Sequence, residues 1–179
     1  MKNFLTIVFL FLIIIPISQV QSEPHHSSSN AKMLMDPMPA GNVASELNVV
    51  DMNGQTRTLE DLKGKFVLVN FWATWCGPCR YEIPDLVEMR GEYESDQVAI
   101  IGVSLDQGPD DQVKPLLNKF IKRYDINYLI VHDGRHDLVR QFVRGNSGSM
   151  GIPMTFMRDR EGRIYKRHIG VPKDSKGRL

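Results

Sequence analysis

Residues 66–79, FVLVNFWATWCGPC, decide the fold of this chain. Phe66 to Phe71 is a continuous apolar run behind Gly64, and Asn70 is its single polar member. The run is too short for a helix and rich in β-formers, so it predicts a strand buried on both faces. Cys76 falls just after it, where a helix should begin. Pro78 fits the first turn of that helix, because a missing N–H costs nothing there. An N-terminal turn presents free N–H groups and the positive end of the helix dipole, both of which favour thiolate over thiol. Cys76 is therefore expected to be a nucleophile. Two residues between the sulfurs allow Cys79, one helical turn on, to close a disulfide with it. A nucleophile with a resolving thiol in reach is the arrangement needed to pass through a mixed disulfide and leave it again.

Working outward, the flanking segments alternate between strand and helix patterns. Upstream, Leu47, Val49 and Asp51 run into Asn53-Gly54, a hairpin turn signal, and a second short strand follows through Arg57 to Leu59. Downstream, a helix is expected through about Tyr93, a buried strand at Val98 to Val103, and a loop from Asp106 to Asp111. Val113, Leu116, Leu117, Phe120, Ile121 and Tyr124 recur at spacings of three and four, which predicts a helix with one buried face. Tyr128 to Val131 reads as a strand, Asp137 to Val143 as a short helix and Gly145 to Gly151 as a loop. Thr155 to Met157 and Arg163 to His168 form a hairpin around Asp159 to Gly162. Such alternation, closing on a hairpin, indicates an α/β sandwich with a mixed sheet.

Composition narrows the functional classes. The chain has 179 residues, 42% of them hydrophobic, with 22 basic and 21 acidic side chains. A net charge of +1 gives no field to steer a polyanion, so nucleic acid is not an expected partner. Two cysteines are too few for a multi-disulfide secreted scaffold.

Phe4 to Ile15 is an apolar stretch with Thr6 as its only polar member, preceded by Lys2 and followed by Pro16. As a helix it spans roughly 18 Å, short of a bilayer core of about 30 Å. Residues 1–22 are therefore read as a signal peptide cut after Ser22, with an uncleaved anchor as the alternative. Both readings place the domain outside the cytoplasm, in the periplasm or on the outer face of the membrane. Residues 23–40 are Ser-rich, Pro-interrupted and aperiodic, and read as a flexible tether. His25, His26, Met33, Met35 and Met38 could offer ligands to Cu(I), but methionines packing on the domain are the simpler expectation. The domain itself is taken as 41–179.

WCGPC behind a hydrophobic strand resembles the active site of the thioredoxin superfamily. The stretch VLVNFWATWCGPCRYEIPDL is similar to its extracytoplasmic branch, the thiol-disulfide reductases of the TlpA, ResA and CcmG type. The resemblance implies a thioredoxin-like three-layer sandwich, with an N-terminal β-hairpin, a mixed β-sheet and helices on both faces. It implies Cys76 as nucleophile, Cys79 as resolving thiol and a redox-active disulfide between them. Pro84 matches the proline that kinks the active-site helix. Gly151-Ile152-Pro153 matches a loop whose proline is cis, leaving the backbone of Ile152 free to pair with a substrate strand. Trp75, beside the nucleophile, belongs to the docking surface, whereas Trp72 reads as a core aromatic. Asn70 stands where cytoplasmic thioredoxins carry a buried Asp that shuttles a proton, which an amide cannot do. Glu82, one turn past Cys79, matches an acidic residue of the ResA-like branch and is expected to serve as proton acceptor or to tune thiolate formation. Met154 departs from the Thr usual after the cis-proline. The C-terminal helix of the family is missing as well, since only VPKDSKGRL follows Gly170; the sheet face it would cover is expected to be protected by another subunit or by Met33 to Met38 of the tether, or else the domain is expected to be less stable than its relatives.

The leading expectation is an extracytoplasmic enzyme that reduces protein disulfides. Apocytochrome c is a candidate substrate, a membrane thiol the electron donor, and residues 1–22 the only membrane contact if they are retained. No cofactor and no metal is expected. Two alternatives are carried. A peroxide-reducing redoxin shares the fold, but its cysteine sits in a Pro-x-x-x-Thr-x-x-Cys setting absent here. A copper carrier would use Cys76, Cys79 and a distant histidine such as His168.

Overall fold

The computed structural model describes residues 48–58, 60–144 and 151–172. The leader at 1–22, the tether at 23–40, Leu47, Leu59 and the loop positions 145–150 lie outside the described residues.

The hairpin is the first described element: β1 (Asn48–Val50) pairs antiparallel with β2 (Thr56–Thr58) across the Asn53-Gly54 turn. Gly54 has φ +80°, a left-handed conformation that glycine adopts without a Cβ penalty. The Asp51 carboxylate takes the N–H groups of Asn53 and Gln55, each at 2.9 Å, which closes the turn. This hairpin is a separate two-stranded sheet, attached to the main one by an Asp51–Val131 bridge.

The main sheet contains β3 (Phe66–Trp72), β4 (Val98–Ser104), β5 (Leu129–His132), β6 (Met154–Arg158) and β7 (Ile164–Ile169), in the order β5-β4-β3-β6-β7. Its β3, β4 and β5 run parallel, and β6 and β7 are antiparallel to their neighbours. The helices are α1 (Gly77–Glu92), α2 (Asp110–Arg123) and α3 (Asp137–Val143). β3 sits at the centre, which is why its sequence is apolar apart from Asn70. Side chains alternate across it. Val67, Val69 and Phe71 enter a core with Ile101, Val103, Met154, Phe156 and the α3 residues Leu138, Val139 and Phe142. Trp72 enters the opposite core, with Ile83 and Leu86 of α1 and Leu117 and Phe120 of α2.

One expectation changes. α2 begins at Asp110, three residues before the apolar periodicity starts, because Asp110 and Asp111 complement the positive helix end and the Pro109 carbonyl accepts the N–H groups of Gln112 and Val113, each at 3.1 Å. α3 lies in one core with the Val69 and Phe71 face of the sheet, and Phe142 packs on Phe71 and Phe156 at ring-centroid distances of 5.3 and 5.1 Å. No helix follows β7 among the described residues, and Tyr165 and Ile169 of that strand are exposed.

Gly102 of β4 lies beside Asn70 of β3 and Ile130 of β5. A Cβ there would meet Ile130 Cδ1 at 2.7 Å, Trp72 Nε1 at 2.9 Å and Tyr128 Cε2 at 3.0 Å. Ile130 can turn aside, but the two rings cannot. Gly102→Ala is expected to cost about 1–3 kcal/mol in urea unfolding. A midpoint equal to that of the parent would contradict this packing.

Candidate active site

The central strand delivers the site. β3 ends at Trp72, the chain turns through residues 73–75, and α1 starts at Gly77 with Cys76 as its N-cap. The turn closes where the Cys76 N–H donates to the Ala73 carbonyl at 3.1 Å. Cys76 and Cys79 form a disulfide, S–S 2.04 Å, and Cys76 Sγ accepts the backbone N–H of Cys79 at 3.2 Å. The sulfur thus occupies the place of a capping oxygen, with free helical N–H groups around it. Pro78 lies in the first turn. Pro84 lies inside α1, where its ring removes the donor that the Arg80 carbonyl would otherwise receive.

The loop before β6 comes up against the disulfide. The Ile152–Pro153 bond is cis, and Cys76 Sγ is 3.8 Å from the Ile152 carbonyl oxygen. Both sulfur residues are buried, whereas Trp75 is 65% exposed beside them. A cleft of about 500 Å³ opens next to Trp75, lined also by Asp106, Gln107, Gln112, Val113 and Leu116. Trp72 is fully buried. Met154 is buried too, so it does not face a docking partner.

One helical turn past Cys79, a polar triad is buried. Glu82, on the Cys79 side of α1, is only 4% exposed. Asn70 Nδ2 donates to Glu82 Oε2 at 2.9 Å and to Thr155 Oγ1 at 3.0 Å, and the Thr155 hydroxyl donates to Glu82 Oε1 at 3.5 Å. Burial pushes the Glu82 carboxyl up to about 7, and the hydrogen bonds from Asn70 and Thr155 limit the rise. A group held there can give or take a proton at neutral pH. Asn70 is the orienter of this carboxyl. Thr155 is a member that sequence reading missed: it reaches Glu82 only because β6 pairs beside β3 with Thr155 opposite Asn70. Its one local signal is that it lies two residues past Pro153.

The family model that matches residues 40–167 is described as the AhpC/TSA family. The chain belongs to the AhpC/TSA family. Within it, the chain groups with thioredoxin-like thiol-disulfide oxidoreductases. It is 31% identical over 131 residues to the thioredoxin-like protein YneN of Bacillus subtilis, covering 73% of this chain and 72% of that one. It is 30% identical over 135 residues to the thiol-disulfide oxidoreductase ResA of Bacillus cereus, covering 75% and 72%. A thioredoxin-family thiol:disulfide interchange protein of Chlorobium tepidum superposes with a TM-score of 0.63 at 30% identity, over 76% of this chain and 88% of that one. The fold of this AhpC/TSA member is thioredoxin-like, with the Cys76–Cys79 pair at the end of its central strand.

Among the described residues, no group of three or more His, Cys, Asp or Glu side chains is arranged to hold a metal. His168 lies in β7, paired with Thr155 in the sheet register. No helix among the described residues is long and apolar enough to cross a membrane.

Proposed function

We propose that this protein is an extracytoplasmic thiol-disulfide reductase that acts on protein disulfides. The observation that carries the reading is a disulfide capping a helix N-terminus, with the carbonyl of Ile152 at its outer sulfur and an ionisable buried carboxyl one helical turn past Cys79. In the reduced enzyme the Cys76 thiolate attacks a substrate disulfide, and one substrate sulfur leaves as a thiol. Cys79 then attacks Cys76, releasing the second substrate thiol and re-forming the Cys76–Cys79 disulfide. Glu82 takes the proton of Cys79 as it becomes a nucleophile. Trp75 and the Ile152 backbone hold the substrate strand. A membrane thiol donor re-reduces the pair, and apocytochrome c is the substrate this branch resemblance favours.

The apolar leader supports export, and the names of the relatives support the chemistry. Peroxide reduction is not favoured, since the residues from Phe71 to Trp75 lack the proline of that setting. The reduction potential tests the direction. A value below about −220 mV is expected, and one near −120 mV would make the protein an oxidant. A deletion strain that kept its full complement of c-type cytochromes would remove apocytochrome as the substrate.

A further inference from the structure

The loop that carries the nucleophile is held by a carboxylate from another strand. Asp106 stands two residues past Ser104, the last residue of β4, and is only 4% exposed. Its Oδ2 accepts the Thr74 N–H at 3.0 Å and the Ser104 hydroxyl at 2.8 Å, and its Oδ1 accepts the Thr74 hydroxyl at 2.6 Å. All three partners are donors, which suits an acceptor-only carboxylate. Hydrogen bonds to an ionised group are about twice as strong as neutral ones. The other side of Thr74 is held as well: its carbonyl accepts Arg80 Nε at 3.1 Å and Nη2 at 2.6 Å. Thr74, buried and two residues ahead of Cys76, is thus fixed at its N–H, its hydroxyl and its carbonyl.

The holder is itself held. The Leu105 N–H donates to the Trp72 carbonyl at 2.8 Å, and His132 Nε2 lies 2.7 Å from the Asp106 carbonyl oxygen. His132 Nδ1 lies 2.8 Å from Asp110 Oδ1, so the ring bridges the loop to the start of α2. What these groups share is the fixed position of residues 73–76.

We propose that Asp106 is a positioning residue for Cys76: acting through Thr74, its carboxylate holds the nucleophile at the N-terminus of α1 and thereby keeps it reactive. Stabilisation of a thiolate by a helix end is confined to the first turn, so displacement of the cap weakens it. A misplacement of about 1 Å can cost on the order of a hundredfold in rate. The proposal rests on Cys76 being the attacking thiol. It also has an opposed alternative with a different sign, because a fixed negative charge near a thiolate disfavours the thiolate. As a clamp Asp106 promotes the reactivity of Cys76, and as a charge alone it suppresses it.

Alkylation by iodoacetamide at fixed pH, in the full chain carrying Cys79→Ser so that Cys76 is the only thiol, separates the two. Asp106→Ala is expected to slow alkylation by about tenfold. Asp106→Asn can keep the geometry, its carbonyl accepting from Thr74 N–H and Ser104 and its NH₂ donating to a turned Thr74 hydroxyl, and is expected to stay within about twofold of the parent. Faster alkylation in both variants, or no change in Asp106→Ala, overturns the proposal. If Asp106→Ala does not fold, Thr74→Val carries the test: it is expected to slow alkylation about threefold, with Thr74→Ser restoring it. An unaffected Thr74→Val overturns the proposal. A parent that alkylates no faster than free cysteine overturns the nucleophile assignment and this proposal together, whereas a fast parent with an indifferent Asp106 overturns only the latter.

Discussion

Cys76→Ser is expected to lower the rate of protein disulfide reduction by at least about a thousandfold, with the fold intact. The serine oxygen can take the capping role that the sulfur has toward the Cys79 N–H, so structure should survive. Chemistry should not, because a hydroxyl is no nucleophile toward a disulfide. Cys79→Ser is expected to behave differently. Attack by Cys76 still proceeds, one substrate thiol leaves, and the mixed disulfide accumulates because nothing resolves it. The covalent adduct is visible by mass spectrometry on non-reduced protein, and insulin turbidity with a thiol donor reports turnover. Undiminished turnover in Cys76→Ser would falsify the assigned attack, and adducts on Cys79 in that variant would reverse the two roles.

Glu82→Gln is expected to raise stability in alkaline solution by roughly 2–3 kcal/mol and to leave it nearly unchanged at pH 4. Burial holds the folded-state value at about 7, against 4.5 for an ordinary glutamate. Below pH 4.5 folded and unfolded chains both carry the proton, and the favourable contribution is complete. From pH 4.5 to about 7 the unfolded chain gives up its proton first, so stability falls as pH rises. Above pH 7 the loss is complete. At 1.36 kcal/mol per pKa unit the full effect is roughly 3 kcal/mol. Gln cannot ionise and so escapes this loss. Urea unfolding of the oxidised proteins at pH 4 and pH 9 measures it, and equal differences at both values would mean that Glu82 is not held in a desolvated site. The same substitution is expected to slow resolution by Cys79 on the order of a hundredfold and to remove an inflection near pH 7 from the rate profile.

Much of this was written locally. FVLVNF is apolar without alternation, which requires cover on both faces, and β3 lies at the centre of the sheet with a core on each side. The cysteine spacing and Pro78 are features of a single helical turn, so their arrangement follows from neighbours in sequence. Helix limits were less legible: periodicity marks the buried face of α2 but not its first turn, where charge and capping decide. The pattern Leu138, Val139, Phe142 predicts a short helix but does not say which face receives it, and α3 packs on the Val69 and Phe71 face of the sheet.

The sequence alone establishes a buried strand running into a dithiol at a helix start, since these depend on one short continuous apolar run and on one turn of helix. Tertiary structure decides how that dithiol is tuned. Asn70, Glu82 and Thr155 meet only through the β3–β6 pairing and the lie of α1, and Thr74 meets Asp106 only because β3 and β4 end side by side. Residues 32 positions apart for one contact and 85 for another carry no local signal of each other, because the burial and hydrogen bonding that couple them exist only once the sheet is assembled.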